Sequence, residues 1–156
     1  MSKKNVKILS VTALILWMGI IFYFSAQEAV ESAGQSRGVL KVIGNIIEAV
    51  TGNPMEFSGE GLYAAEKLIR KTAHFFVYFI LGMIAVNSVY RFCTRKILWV
   101  SECICILYAI SDEVHQLFVP GRSGQISDVL LDSVGAMTGI LLVAFVYRLF
   151  KVRRLK

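Results

Sequence analysis

SDEVHQLFVPGRSGQISDVLLD, residues 111–132, separates two apolar runs of this 156-residue chain. The stretch contains four carboxylates, one histidine, two glutamines and one arginine. Its Pro120-Gly121 pair predicts a turn that ends one helix before the next begins. The sequence therefore predicts a helical hairpin with a concentration of ionisable groups at its tip.

The composition indicates a membrane protein. Hydrophobic residues make up 56% of the chain and charged residues only 18%, which is too apolar for an ordinary soluble domain. The net charge of +6 could suggest nucleic acid as a partner. The basic residues adjoin apolar runs, however, and form no basic face with interleaved aromatics. We therefore expect no nucleic acid and take lipid headgroups as the counter-charge.

Four apolar segments are long enough to cross a bilayer, which takes about 20 residues. They are 8–24, 73–90, 97–117 and 129–150. The first is read as a retained helix, because "YFSAQ" lacks a cleavage site of small residues. We predict one all-α domain over residues 1–156, a polytopic membrane bundle of about four transmembrane helices.

Residues 25–72 form the only sizeable segment outside the predicted spans. Within it, residues 39–50 have the apolar spacing of an amphipathic helix, and a second short helix is expected from about Gly61. The first helix would either lie along the membrane interface or pack over the polar layer.

Basic residues predict the orientation, because lysine and arginine resist translocation. Eleven of them, and no acidic residue, flank the predicted spans on one side: Lys3, Lys4, Lys7, Arg91, Arg95, Lys96, Arg148, Lys151, Arg153, Arg154 and Lys156. The other side carries ten of the eleven acidic residues, all except Glu102. Both termini are therefore expected in the cytoplasm, with segment 25–72 outside it.

This orientation brings distant polar residues to one outer surface. The candidate catalytic residues are His74, Asp112, Glu113, His115, Asp128 and Asp132, and the candidate substrate-binding residues are Ser25, Gln27, Arg70, Lys71, Gln116 and Arg122. Spacings of three or four residues place several of them on one face of their helix. Simple anchoring of helix ends is the alternative interpretation.

Asp132 argues most strongly against anchoring alone. A carboxylate deep in a bilayer costs up to about 3 kcal/mol, so Asp132 needs a partner, with Arg122, Lys71 or His74 as candidates. Asp128 is easier to explain, since a carboxylate favours a helix start and Ser127 would be a good N-cap.

Small residues in the fourth span have a separate interpretation. Gly135 and Gly139 have G-x-x-x-G spacing, which allows another helix to approach closely. This predicts either internal packing, which we favour, or a contact between copies in an oligomer. The three cysteines, Cys93, Cys103 and Cys105, have no ligand spacing and are expected to pack as small residues.

Three features of the chain can be compared with known families: "YFSAQ" with Ser32 and Ser36 after it, "RKTAHF" at 70–75 and the block 111–139. In these features the chain resembles the VanZ-like family of bacterial membrane proteins. The resemblance implies a multi-pass protein of the bacterial cytoplasmic membrane, acting at the outer leaflet on cell-envelope chemistry. The first described member is associated with resistance to teicoplanin. Val77 departs from the family's pattern, where an acidic residue is expected.

Two kinds of function fit these residues. An enzyme would act on a phospholipid or lipid-linked envelope precursor, with Arg70, Lys71 and Arg122 on phosphate oxygens and a histidine as general acid or base. A non-catalytic protein would bind such a lipid or an antibiotic. A small transporter subunit is a third, disfavoured alternative. No metal ligand is assigned, although two histidines and several carboxylates could hold a divalent ion.

Overall fold

Five α-helices form the computed structural model, which describes residues 2–55, 57–92 and 96–153. They are α1 (Lys3–Ser25), α2 (Ala29–Thr51), α3 (Gly59–Val89), α4 (Ile97–Gln116) and α5 (Ile126–Arg153). These ranges contain no strand, so the all-α prediction is confirmed. Cys93, Arg95, Arg154 and Lys156 lie outside the described residues.

Three helices are long and apolar enough to cross a membrane: α1, α3 and the part of α5 from Ile126 to Phe150. The 20 residues of α4 are sufficient in length. It contains three acidic residues within these 20 positions, Glu102, Asp112 and Glu113, and all three are buried in the bundle. A fourth span at 97–117 therefore stays a prediction.

The sequence predicted short helices between the first two spans, whereas the structure has long ones there. The amphipathic pattern at 39–50 belongs to α2, a single helix of 23 residues that ends at Thr51 and is followed by Gly52, whose φ of 72° is left-handed. The helix expected from about Gly61 is not separate, because it continues into the predicted span as one 31-residue helix. No proline or other helix-breaking residue occurs between Gly61 and Ala73, which explains the continuity.

Helix α3 is the centre of the bundle. It contacts all four other helices and packs most extensively on α5. The two run parallel, since Lys71 meets Asp128 near their starts and Phe79 meets Gly139 further along. Parallel packing places the beginnings of α3 and α5 at the same end of the bundle.

Small residues permit this close approach. A Cβ added at Gly135 would lie 2.5 Å from the carbonyl oxygen of Phe75, and one at Gly139 would collide with that of Phe79. On α3, a Cβ at Gly82 would likewise collide with the backbone of Ala136. The G-x-x-x-G stripe is therefore occupied within the chain, as the internal-packing interpretation predicts.

Side chains fix α1 against the rest of the bundle. Trp17 Nε1 donates to the carbonyl of Val77 at 2.9 Å, and Ser88 Oγ donates to that of Ser10 at 2.9 Å. The hydroxyl of Tyr108 donates to the carbonyl of Met18 at 2.5 Å. These contacts bring the end of α1 at Ser25 to the end of the bundle where α3 and α5 begin.

Candidate functional site

Four ionisable side chains from three helices meet at this end of the bundle. They are His74 of α3, Asp112 and Glu113 of α4 and Asp132 of α5, and each offers a donor atom within 4.8 Å of the others. We call these four residues the acidic cluster. The predicted convergence of His74, Asp112, Glu113 and Asp132 is present in the structure.

Asp132 lies at the bottom of the acidic cluster and is fully buried. Its Oδ1 is 3.5 Å from His74 Nδ1, which identifies His74 as its neighbour among the three expected partners. Neither carboxylate oxygen has a hydrogen-bond partner among the described residues. Asp132 is thus a buried acid whose environment does not satisfy it, which is costly unless a ligand or proton compensates.

Asp112 and Glu113 are also buried, at 2% and 5% exposure. Gln116 Nε2 donates to both, at 3.3 Å to Asp112 Oδ2 and 3.3 Å to Glu113 Oε1. The backbone N–H of Gln125 donates to Glu113 Oε2 at 2.8 Å. Glu113 therefore fastens the end of α4 to the start of α5, whereas Asp112 Oδ1 has no partner among the described atoms.

Lys71 and Asp128 form a second contact on the seam between α3 and α5. Lys71 Nζ donates to Asp128 Oδ1 at 2.7 Å, and Ser127 Oγ donates to the same oxygen at 3.2 Å. Ser127 is the second residue of α5, so its predicted role as N-cap is wrong. The helix begins earlier because Gln125 is held by Glu113.

Two arginines line the space above the acidic cluster. Arg122 donates to the carbonyl of Ser25 at 3.1 Å and to Ser32 Oγ at 3.4 Å. Burial lowers the pKa of the Arg122 guanidinium, and the positive charge of Arg70 lowers it further, whereas Asp112 raises it. Arg70 has a buried Nε without a partner among the described residues. Two close cations with spare donors are suited to an anion.

Two cavities open beside these arginines. The first, of about 190 Å³, has an apolar wall that includes Ile21, Phe24, Val39, Ile69 and Val77; we call it the apolar cleft. The second, of about 300 Å³, is lined mainly by polar groups such as Glu66, Lys67, Lys71, Gln116, Ser123, Gln125 and Asp128; we call it the polar cleft. Both cavities are lined by Arg70, His74 and Arg122, so they adjoin at these three residues.

The family model described as VanZ/LLP1 matches residues 10–148, which include both clefts and the acidic cluster. The chain belongs to the VanZ/LLP1 family. The resemblance seen in the sequence is thereby confirmed. No curated protein and no solved structure matches the chain at a significant level.

The remaining predicted site residues of this VanZ/LLP1-family protein have different surroundings. Ser25 and Gln27 line the apolar cleft, and Gln27 accepts a hydrogen bond from Gln35 at 2.7 Å. His115 is not part of the acidic cluster and lines neither cleft. Its ring lies 4.4 Å from that of Phe22 on α1. The geometry therefore offers no support for a catalytic His115.

Several residues of the site were not predicted from the sequence, among them Gln35, Glu66 and Tyr78. Gln35 lines the apolar cleft, and Glu66 lines the polar cleft while contacting Arg37 at 3.5 Å. Tyr78 is fully buried, and its hydroxyl has no partner among the described residues. Its position four residues after His74 was an available signal, since that spacing places it on the same helix face.

Proposed function

We propose that this VanZ/LLP1-family membrane protein binds a phosphate-bearing membrane lipid, either a phospholipid or a lipid-linked cell-envelope precursor. One observation supports this most strongly: a polar and an apolar cleft adjoin at Arg70, His74 and Arg122. An amphiphile needs this combination, because its headgroup and its chain require opposite surroundings in neighbouring places.

The two arginines supply the headgroup contact. A guanidinium offers several N–H donors in a planar array that matches phosphate oxygens. Arg122 is held in place by Ser25 and Ser32, and Arg70 Nε remains without a partner among the described residues. A phosphate between them would complete their hydrogen bonding, and Lys67 and Lys71 would add positive charge at the same cleft.

The apolar cleft supplies the contact for the lipid chain. Its wall contains Ile21 and Phe24 of α1, Val39 of α2 and Val77 of α3. α2 also carries a row of exposed apolar side chains, including Val42, Ile46 and Val50. A chain lying along this surface would remain in apolar surroundings.

The proposed location is the outer leaflet of the cytoplasmic membrane, with both termini in the cytoplasm. It is supported by the excess of lysine and arginine beside the opposite ends of the helices. A change in teicoplanin susceptibility, which the family resemblance implies, would be one consequence of altered access to an envelope precursor.

Chemistry on the bound lipid is a second candidate function. It is favoured by the position of His74, which lines both clefts beside three buried carboxylates. An imidazole in this position could carry a proton to or from a phosphate ester. In that case His74→Gln would abolish turnover of the lipid while leaving its binding nearly unchanged.

Binding of phosphatidylglycerol and of a polyprenyl phosphate to the purified protein tests the proposal. We expect the double change Arg70→Gln/Arg122→Gln to weaken the affinity for each of the two lipids at least tenfold in native mass-spectrometry titrations. The reason is that each charged hydrogen bond contributes about 1.5–3 kcal/mol. The matched control is Arg91→Gln, because Arg91 is an exposed arginine at the other end of α3. This change should leave the affinity for both lipids unchanged. Equal affinities for the double variant and the wild type would contradict the phosphate site.

Cysteine labelling in intact cells tests the orientation. A reagent that cannot cross the membrane should label Ser123→Cys, in the exposed loop between α4 and α5, and should not label Arg91→Cys. Ser123 is chosen over its neighbour Gly124, because a Cβ there would lie 2.5 Å from the carbonyl oxygen of Glu113. The reverse labelling pattern would show that the polar end faces the cytoplasm.

A further inference from the structure

The geometry points to a divalent-cation site within the acidic cluster, with His74, Asp112, Glu113 and Asp132 as ligands for one first-row transition ion such as Zn²⁺ or Mn²⁺. This inference goes beyond lipid binding and does not depend on it. It rests on three properties of the cluster: its donor set, its unsatisfied buried oxygens and, among the described residues, the absence of an ion pair with lysine or arginine.

The donor set has one imidazole nitrogen and three carboxylates. Imidazole is a common ligand for zinc and other transition ions, whereas carboxylates suit harder ions such as manganese, so the mixture fits both. Donors bound to one ion lie about 3–4 Å apart, since each bond is about 2.0–2.2 Å long. The four donor atoms lie within 4.8 Å of one another, so a small inward movement of the side chains would complete the coordination.

The buried oxygens are an independent observation. Asp132 is fully buried, and neither of its oxygens has a hydrogen-bond partner among the described residues. The same holds for Asp112 Oδ1 and for His74 Nδ1. Buried polar groups are nearly always partnered in native proteins. Here these atoms belong to three of the four proposed ligands. His74 Nδ1 and Asp132 Oδ1 face each other, but at 3.5 Å their contact is long for a hydrogen bond, and a bound cation would satisfy all of these atoms together.

The negative charge of the acidic cluster also favours a bound cation. Three carboxylates within a few ångströms repel one another strongly in a medium of low dielectric constant. Within the described ranges, no lysine or arginine forms an ion pair with the cluster. Lys71 pairs with Asp128. Arg122, although close enough to interact with the charge of Asp112, donates to Ser25 and Ser32. Among the described residues, the only ion pair of the cluster is that between His74 and Asp132. A divalent cation would neutralise most of the remaining charge.

The cluster is accessible to an ion and to a ligand of that ion. His74 and Asp112 line the apolar cleft, and His74 also lines the polar cleft beside Arg70 and Arg122. An ion held here would act as a Lewis acid toward a phosphate oxygen. The residues themselves would hold it, while Gln116 and the Gln125 N–H orient Asp112 and Glu113.

Calorimetric titration of the full-length protein in detergent, after removal of metals with a chelator, tests the site. The probes are Zn²⁺ and Mn²⁺ alone, without lipid. We expect saturable binding of one ion per chain. His74→Gln and Asp132→Asn should each weaken the affinity at least tenfold, whereas His115→Gln, the other histidine of the chain, should leave it within about twofold.

The outcomes separate this site from the lipid site. Absence of saturable binding of either ion to the wild-type protein would overturn the inference, as would equal weakening by His74→Gln and His115→Gln. A circular-dichroism spectrum of each variant shows whether it remains folded, and the wild-type titration decides the question even if a variant does not fold. Arg70→Gln/Arg122→Gln should retain the ion while losing the lipid, so either proposal can fail alone.

Discussion

Gly139→Ala is expected to destabilise the protein strongly, although alanine favours helices more than glycine does. The added Cβ would collide with the carbonyl oxygen of Phe79 on α3. A backbone oxygen cannot move away by a rotamer change, so α3 and α5 must separate. Overpacking of this kind costs about 1–3 kcal/mol or more, which exceeds the gain of up to about 1 kcal/mol in helix propensity. The measurement is the apparent Tm of the purified protein in detergent.

Gly19→Ala is the matched control. Gly19 lies within α1, and a Cβ there would meet no atom within 4 Å. The same chemical change should therefore leave the Tm unchanged or raise it slightly. If both variants behaved alike, the close contact between α3 and α5 would be absent from the folded protein.

The positions of the helices were largely predictable from apolar periodicity. Segment 8–24 lies inside α1, 97–117 differs from α4 by one residue, and 129–150 lies inside α5. The predicted spans begin at 73 and 129, later than α3 at Gly59 and α5 at Ile126, because hydropathy measures where a helix enters lipid and not where its hydrogen bonding starts. Residues 60–72 belong to the same helix as the predicted span.

The sequence predicted which residues meet at the site better than it predicted which side chains contact one another. Topology alone brings the starts of α3 and α5 together with the end of α4, and the structure has this arrangement. His115 lies outside the acidic cluster although it follows Asp112 by three residues. The buried face of α4 runs through Ser101, Cys105, Ala109, Asp112 and Gln116, and His115 lies beside it, toward Phe22 of α1.

The pairing of the acids required coordinates. Asp128 and Asp132 are four residues apart and share a face of α5, so either could have met Lys71. The axial offset of α5 against α3, which is set by the contacts of Gly135 and Gly139, decides that Asp128 meets Lys71 and Asp132 meets His74. Sequence spacing gives the rotation of a residue about its own helix, not its height relative to another helix.

Asp132→Asn is expected to raise the apparent Tm of the metal-free protein while Asp128→Asn lowers it. Asp132 is fully buried without a hydrogen-bond partner among the described residues, so a neutral side chain of the same shape removes repulsion from Asp112 and Glu113. The gain from removing this repulsion is expected to outweigh the loss of the 3.5 Å contact with His74. Asp128 pairs with Lys71 at 2.7 Å in a partly exposed position, so its loss costs about 1 kcal/mol or less.

In the presence of Zn²⁺, the wild type should have a higher apparent Tm than Asp132→Asn, the reverse of the order in the metal-free proteins. An ion that binds only the folded state stabilises it in proportion to the logarithm of its concentration over Kd, and the wild type alone retains all four ligands. A lower Tm for Asp132→Asn in the presence of chelator would mean that the pair with His74 is mainly structural. If Asp132→Asn instead raises the Tm without the ion and lowers it with the ion, the buried acid destabilises the metal-free fold and is stabilised by its ligand. This is expected of a residue that is retained for binding and not for folding.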